Sequence, residues 1–450
     1  MPKKLNFVYE WLTPEGALPN VPGFTDPEKL MEGCQTIGLG DSTLRSGFVN
    51  KTDPYIDFNN QYSLYSACKL PNAPFIYDIN FTLQQYTNLK TKTFDVEHGI
   101  FNDILLRDSV LQRVKSKYAY LLFRTDVESI VEENLFERMH RYFKHYDIPL
   151  TQIIYMNNCV NGADLYKEYC LANGIENGMH IEYMPILRMR RSYLKELLET
   201  NAGPYTPGPR AKDFLCFNRI YHRHRLIFLT ELSKRNLIKN FYISMPNPGN
   251  WDRQPPNGTF KEYMDQAVIK AGYNVFNHTE SDIDLTQAQL PLVIDTPDFS
   301  RLPMESNVND LTKFYQNSLV HITAESYFFE RKIHLTEKTY KPIAYKQPFI
   351  MLSSPGSLKH LKDLGFKTFS DFWDESYDAC LDHNERFKMI LNIVETIANW
   401  SPEKKLQFTH DVAPIINFNY NYLNIFENVE ATAFVEKYGS EDNEVMPIVF

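Results

Sequence analysis

Short apolar runs alternate with helix-like spacing of apolar positions along the whole chain. In the first half, five runs have the length and the aromatic and β-branched content of buried strands. These predicted strands are Leu5–Glu10, Pro74–Phe81, Tyr118–Thr125, Gln152–Asn157 and His180–Tyr183. Apolar residues three and four positions apart predict helices at Val127–His145 and Gly162–Asn173. The segment Leu12–Asn72 follows neither period, and we predict irregular structure there.

The second half shows the same alternation more regularly. Its predicted strands are Asp213–Phe217, Phe241–Met245, Leu292–Ile294, Leu319–Thr323 and Pro348–Leu352. Its predicted helices are His224–Arg235, Lys261–Ala271, Asp310–Gln316, Thr336–Tyr345, Ser357–Leu364, Asn384–Trp400 and Pro402–Val412. Strands that alternate with helices are typical of mostly parallel sheets. The predicted fold class is therefore α/β, with two Rossmann-like, doubly wound domains that face each other across a cleft.

A proline- and glycine-rich stretch, Asn201–Arg210, interrupts this alternation and is predicted to be a linker. Single cores stop growing near about 250–300 residues, so a chain of 450 residues is expected to form two domains. We predict an N-terminal domain at 1–200, a linker at 201–212 and a second domain at 213–400. A C-terminal helix and tail at 401–450 could return to the first domain. Ligands of such sheets bind beyond the carboxyl ends of the strands, where candidate residues are therefore sought.

Composition excludes several classes of protein. The 47 Lys and Arg against 56 Asp and Glu give a net charge of -9, which disfavours a protein that coats nucleic acid through its whole surface. No run approaches the roughly 18 apolar residues of a membrane span, and no signal-peptide core follows the N-terminus. Six cysteines without a C-x-x-C pair suggest neither a zinc knuckle nor a disulfide framework. We expect a soluble, cytoplasmic protein.

No predicted strand is followed by a standard nucleotide-binding loop. Neither G-x-G-x-x-G nor G-x-x-x-x-G-K-[ST] occurs in the chain. These loops hold dinucleotides and triphosphates through backbone amides. Dehydrogenases and P-loop kinases are therefore disfavoured.

Basic residues follow the predicted strand Asp213–Phe217. Arg219 comes just after the strand, and the helix predicted from His224 has Arg225 in its first turn. A helix N-terminus favours anions, so an arginine there is unfavourable unless an anion is bound. A guanidinium beside free backbone amides would suit a diphosphate. The alternative is that Arg219, Arg223 and Arg225 are solvated or paired with acidic neighbours.

A second polar segment leads into the helix Thr336–Tyr345. Glu325 precedes it, Thr336 has the character of an N-cap, and Glu337 and Lys338 begin the helix. Capping by itself explains Glu337, because an acid suits the helix dipole. It does not explain Lys338, a cation in the same turn, unless that lysine meets an external anion. A third connection, Ser353–Ser357, has small residues and amides for a ligand, but an ordinary strand-to-helix turn explains it better.

Three strings of the second half together resemble the GT-B-type glycosyltransferases of phages and large viruses. They are F-L-C-F-N-R…H-R-L, E-S…L-T-E-K-T-Y-K-P-I-A-Y-K-Q-P-F-I and P-G-S-L-K-H-L-K-D-L-G-F-K-T-F. More distantly they look like the α1,3-fucosyltransferases, and the resemblance covers about Asp213–Tyr377. It implies transfer of a sugar from a nucleotide-diphosphate sugar, the co-substrate, to a hydroxyl acceptor without a bound cofactor.

The resemblance also implies roles for individual residues. Glu337 falls on the position that contacts the donor ribose, and Lys338 on the position that contacts the phosphates. Arg225 best matches the arginine that neutralises the diphosphate, with Arg219 as a second candidate. Glu325 is a further donor-side candidate, although it lies farther from the T-E-K string than the family's acid does.

Enzymes of this kind typically work without a metal held by a D-x-D motif, since cations stabilise the leaving diphosphate instead. The chain has one such string, Asp282-Ile-Asp284, which we interpret as a solvated loop. No essential metal is predicted. An inverting reaction also needs a carboxylate that takes the acceptor's proton. Asp126 is the best-placed candidate and Glu128 the next, although either would equally cap the predicted helix that begins there.

The acceptor and the oligomeric state stay open; a glycan, a protein and modified DNA are the acceptor classes considered. A competing hypothesis is a nucleic-acid-associated viral protein, either a DNA-base glycosyltransferase or a non-enzymatic binding module on this fold. It rests on a basic cluster beside the predicted linker, formed by Arg188, Arg190, Arg191, Lys195, Arg210 and Lys212. The acidic net charge opposes it.

Overall fold

The computed structural model describes eleven stretches of the chain. They are residues 5–9, 62–66, 75–80, 108–125, 131, 133–183, 197–218, 220–245, 258–294, 308–425 and 437–438. The chain divides into two compact units, one formed by Met1–Met189 with Glu427–Phe450 and the other by Arg190–Phe426.

The first unit contains a six-stranded parallel sheet. Its strands are β1 Leu5–Tyr9, β2 Tyr62–Ser66, β3 Phe75–Asn80, β4 Ala119–Thr125, β5 Ile153–Asn157 and β6 His180–Tyr183, in the spatial order β2-β1-β3-β4-β5-β6. Its described helices are α1 Asp108–Lys115, α2 Glu133–His145 and α3 Gly162–Ala172. Strand β5 is buried along its whole length, and α2 buries a stripe that begins with Leu135 and Phe136. Strand β5 and the buried stripe of α2 thus belong to one core.

Two predictions for this unit are wrong. The segment Leu12–Asn72, predicted to be irregular, contains β2, which pairs along all five residues with β1 at the edge of the sheet. Its sequence, Tyr-Ser-Leu-Tyr-Ser, has a single aliphatic residue between two serines and so lacks the apolar run that marks the other strands. Helix α2 begins at Glu133, and Val131 is not helical, so the predicted start at Val127 is too early.

The second unit contains a four-stranded parallel sheet. Its strands are β7 Lys212–Phe217, β8 Phe241–Ser244, β9 Ser318–Ala324 and β10 Phe349–Leu352, in the spatial order β10-β9-β7-β8. Its helices are α4 Arg223–Lys234, α5 Phe260–Tyr263 with a π-helical continuation Met264–Ile269, α6 Glu280–Gln287, α7 Val308–Gln316, α8 Glu337–Ala344, α9 Ser357–Asp363, α10 His383–Ala398, α11 Pro402–Asp411 and α12 Ala413–Ile425. Within the described ranges, no helix combines the length and the apolar character that crossing a membrane requires.

The predicted strand Leu292–Ile294 is absent as a strand. Leu292 forms only an isolated antiparallel bridge with Met245. A run of three apolar residues is too short to distinguish a strand from a single bridge. Helices α6 and α12 were not predicted at all.

The residues predicted as a linker pack against the rest of the second unit. Lys346 Nζ donates to the carbonyls of Asn201 and Gly203, and the Gly208 amide donates to Thr409 Oγ1 over 3.0 Å. At the other end of the chain, the Tyr438 hydroxyl bonds to Glu182 Oε1 in the first unit over 2.5 Å.

The first three strands are arranged in the same way in both sheets. The second strand in the chain pairs with one side of the first strand, and the third pairs with the other side. In the second unit this arrangement places β8 and β9 on opposite sides of β7. The carboxyl ends of β7 and β9 therefore flank the switch point of the sheet, which is where ligands of open α/β sheets bind. Both α/β units thus agree with a Rossmann-like fold, and their predicted arrangement across a cleft stays a prediction.

Candidate functional site

Helix α4 begins beside the switch point without an acid of its own. Its N-cap, His222, has an extended backbone and no side-chain cap, and its first turn holds no Asp or Glu. Five other helices of this unit begin with a side-chain oxygen that accepts a hydrogen bond from a backbone amide of their first turn. These N-caps are Thr259, Thr279, Thr336, Asp382 and Ser401. The α4 start carries Arg223, His224 and Arg225 instead.

Arg225 is 4% exposed and joins the end of β9 to the turn between β7 and α4. Its Nη2 donates to the carbonyls of Ala324 over 2.8 Å and Glu325 over 3.3 Å, and its Nη1 to Ile220 over 3.3 Å. Its Nε–H has no partner, and the guanidinium forms no ion pair with any described residue. Burial lowers the pKa of Arg225 to about 10, which still leaves it cationic at neutral pH.

Glu325 joins the start of α4 to the start of α8. Its backbone carbonyl accepts from His224 Nε2 over 2.8 Å as well as from Arg225. Its carboxylate accepts from the Thr336 amide over 3.0 Å, from Thr336 Oγ1 over 2.7 Å and from Thr339 Oγ1 over 2.6 Å. The side chain is 1% exposed. Glu325 thus fixes the position of one helix start relative to the other.

The start of α8 presents a partly exposed cation. Thr336 is its N-cap, as predicted, and its Oγ1 accepts from the Lys338 amide over 3.2 Å. Lys338 Nζ lies 3.1 Å from Thr336 Oγ1 and 3.3 Å from Glu337 Oε1. The Lys338 side chain is 29% exposed and that of Glu337 12%. Lys338 is therefore accessible while Glu337 is held close to the helix.

The cations of both helix starts act on the same two histidine rings. Burial, followed by the charge of Arg225, lowers the pKa of His222 well below its ordinary value, and Lys338 contributes in the same direction. Burial, Arg225 and Lys338 also lower the pKa of His224. The two rings stack with centroids 5.7 Å apart. Arg225 bonds to the Glu325 carbonyl, and Lys338 contacts Thr336, which bonds to the Glu325 carboxylate, so both cations belong to one hydrogen-bonded network at the switch point.

Buried polar atoms without partners lie at the same edge of the sheet. Asn218 directly follows β7; the residue is 2% exposed, and its Oδ1 has no hydrogen-bond partner among the described residues. Ser354 follows β10, and its Oγ is likewise unpartnered at 2% exposure. A buried polar group without a partner costs about 1–3 kcal/mol. A ligand at the carboxyl ends of the strands could supply such partners.

The start of α9, after β10, is completed by the chain itself. Asp378 accepts from the amides of Leu358 over 2.9 Å and Lys359 over 2.8 Å. The N-cap Gly356 has a φ of 84°, and a Cβ there would lie 3.0 Å from Ile333 Cδ1. The Ser353–Ser357 connection is therefore held as a strand-to-helix turn, with its first amides already bound to a carboxylate.

The solvated-loop interpretation of Asp282-Ile-Asp284 is wrong. Both acids lie in α6, where Asp282 accepts from the Thr279 amide over 2.9 Å in a capping box. Asp284 pairs with Lys261 over 3.2 Å. A threonine three residues before an acid starts a helix even in a polar stretch. In the part of the chain that the structure describes, no group of three or more His, Cys, Asp or Glu side chains could hold a metal ion.

Three predicted site residues lie outside the described residues. They are Asp126, Glu128 and Arg219. Their proposed roles as base or as phosphate ligand stay predictions.

Sequence reasoning missed a second buried arginine that supports the site. Arg386 on α10 is 1% exposed and donates through Nη2 to the Phe328 carbonyl, and its guanidinium lies 4.4 Å from the Phe328 ring. That ring stacks on His224 with centroids 5.8 Å apart. The sequence signal was an arginine at a position of α10 that the apolar spacing places on the buried face. A buried arginine needs a specific partner, so such a position indicates a structural or functional contact.

No protein-family model matches the chain, and no curated protein sequence matches it significantly.

Proposed function

We propose that the chain is a glycosyltransferase whose second unit binds the diphosphate of a nucleotide sugar at the starts of α4 and α8. The observation that carries the proposal is the buried guanidinium of Arg225, which forms no ion pair with a described residue and has a free Nε–H. The two carboxylates whose charge reaches it, Glu325 and Glu337, are engaged by Thr336, Thr339 and Lys338. A buried charge is strongly unfavourable without a counter-charge. A diphosphate would supply that counter-charge and would accept from the free Arg225 Nε–H.

The helix start itself supports an anionic ligand. The N-terminal amides of α4 have no side-chain cap, and Arg223 pairs with no acid among the described residues but stacks on Tyr273 at 4.5 Å. Backbone amides and the helix dipole favour a phosphate at this position.

The proposed reaction follows from the charge that develops on the leaving group. The bond between the anomeric carbon and the diphosphate oxygen breaks, and that carbon forms a new bond to the acceptor oxygen. Negative charge grows on the diphosphate, so Arg225 and Lys338 would stabilise the transition state more than the ground state. The acceptor's proton passes to a base, for which Asp126 and Glu128 remain the candidates.

The two glutamates of the site are given different roles. Glu337 is proposed as the ribose contact, since it lies beside the accessible Lys338. Glu325 is proposed as a positioning residue rather than a ligand contact, because both of its carboxylate oxygens already accept hydrogen bonds from Thr336 or Thr339.

The test is a panel of UDP-, GDP-, ADP- and dTDP-sugars, measured by thermal shift and by release of the nucleoside diphosphate. We expect one nucleotide family to raise the melting temperature and to be hydrolysed slowly without an acceptor. The matched nucleosides, which lack phosphate, should give no shift. If none of the nucleotide sugars raised the melting temperature, the proposal would be refuted.

The nucleic-acid alternative gains no support from the described part of its basic cluster. Arg210 donates to the Thr206 carbonyl over 2.8 Å and Lys212 to the Lys239 carbonyl over 2.5 Å. Arg188, Arg190, Arg191 and Lys195 lie outside the described residues. Salt-dependent binding to duplex or single-stranded DNA would distinguish this alternative.

A further inference from the structure

His222 stands at the point where the α4 helix begins and is free to bind a ligand. Its side chain is half-buried, and its ring forms no hydrogen bond with any described residue. On one side the ring stacks on His224, at an interplanar angle of 24°. His224 itself is committed, since its Nε2 donates to the Glu325 carbonyl. Of the two histidines, His222 is therefore the one that can meet a ligand.

The groups around His222 are mostly cationic. The titratable groups that lower the pKa of His222 are Arg225, His224 and Arg223 on α4 and Lys338 at the start of α8. The carboxylates whose charge reaches Arg225 are both engaged elsewhere. Glu325 binds two threonines, and Glu337 pairs with Lys338.

We propose that His222 contacts the bound diphosphate and takes up one proton when the diphosphate binds. This inference rests on the proposed function, because it needs the anion at the start of α4. Without the diphosphate, burial and then the positive neighbours hold the pKa of His222 well below its usual value, so the ring is neutral. The negative charge of a diphosphate offsets those neighbours and raises that pKa. The proton comes from the solvent and returns to it when the diphosphate leaves.

The sign of the pH effect follows from linkage. The pKa of His222 in the complex lies above its pKa in the empty protein, so protonation favours binding. The gain in affinity is complete below the pKa of the empty protein and is lost as the pH rises through the pKa of the complex. Between those two values, one linked proton changes the association constant by about tenfold per pH unit.

The test compares the wild-type protein with His222→Asn, using inorganic pyrophosphate as the probe. Asparagine is a favourable N-cap, so the helix start should be retained. Titration calorimetry in buffers of different ionisation enthalpy counts the protons taken up. Pyrophosphate itself titrates near neutral pH, and this contribution is the same for both proteins, so the difference belongs to His222.

We expect wild type to take up close to one proton more than His222→Asn, and its affinity advantage to grow as the pH falls. A matched control is His360→Gln on α9, where burial lowers the pKa to about 4 but the side chain lies on another helix. This variant should behave like wild type. Equal proton counts for wild type and His222→Asn, with pyrophosphate still bound, would overturn the inference and leave the proposed function standing. Failure of wild type to bind pyrophosphate and every nucleotide sugar would overturn both.

Discussion

Helices α9 and α4 each follow a strand of the same parallel sheet, but they differ in the source of the negative charge at the helix N-terminus. At α9, which follows β10, Asp378 accepts from the amides of Leu358 and Lys359. At α4, which follows β7, there is no acid in the first turn and no side-chain cap, and the buried Arg225 forms no ion pair with a described residue. The first start is complete without a ligand. The second has the cations and amides of a phosphate site, and an external anion would complete it.

The N-terminus of α8 has both a carboxylate from the chain, Glu325, and an accessible cation, Lys338. Of the changes considered, removal of the Glu325 carboxylate should lower the stability most. In Glu325→Ala, the Thr336 amide and two threonine hydroxyls lose their acceptor inside the protein. We expect the free energy of unfolding to fall by about 3 kcal/mol, measured by urea denaturation. Glu325→Gln, which keeps an acceptor oxygen, should lose less. Equal stability of Glu325→Ala and wild type would contradict the positioning role.

Acid should destabilise the protein through a buried histidine that is not part of the anion site. Burial lowers the pKa of His321 in β9 to about 3, against about 6.5 in an unfolded chain. Its contribution to stability is therefore full above pH 6.5 and is lost as the pH falls towards 3. From pH 6.5 to 5 we expect His321 alone to reduce the free energy of unfolding by about 2 kcal/mol.

The measurement is urea unfolding at several pH values for wild type and His321→Gln. The variant should show a flatter pH dependence. If the two curves run parallel, His321 is not the titrating group. The contrast with His222 is sharp, because there acid strengthens anion binding.

Asp378→Ala removes the anion that completes α9. Two amides lose a buried acceptor, and we expect a loss of about 2 kcal/mol in the free energy of unfolding. Pyrophosphate affinity at the α4 and α8 starts should be unchanged. If Asp378→Ala were as stable as wild type, the carboxylate would not be needed at the N-terminus of α9. The proposed difference between α9 and α4 would then be contradicted.

Lys338→Ala should lower the affinity for pyrophosphate and leave the stability nearly unchanged. Its side chain is partly exposed and pairs only with adjacent Glu337 among the described carboxylates, so stability should change by less than about 0.5 kcal/mol. Affinity for pyrophosphate should fall by about tenfold, as expected for a lost charge-assisted hydrogen bond. The matched control is Lys359→Ala, a lysine in the first turn of α9 that pairs with Asp363. Equal affinities for the two variants would remove Lys338 from the site.

Much of the fold is predictable from the sequence, because the sheet strands are short apolar runs buried in the core. The N-cap role of Thr336 is also local and was predicted correctly. Helix α6 was missed because its capping box lies in a polar stretch. The bonds of Glu325 to Thr336 and of Arg225 to Ala324 join residues distant in the chain, and only the strand order brings them together. No local pattern could have revealed that Arg225 is buried rather than exposed.

The most direct test of the central claim is a crystal structure with the nucleoside diphosphate that the donor panel selects. We expect the phosphate oxygens to lie about 3 Å from Lys338 Nζ and Arg225 Nε, with the α4 amides directed at them. A diphosphate bound elsewhere, with the start of α4 unchanged and empty, would contradict the assignment of this site.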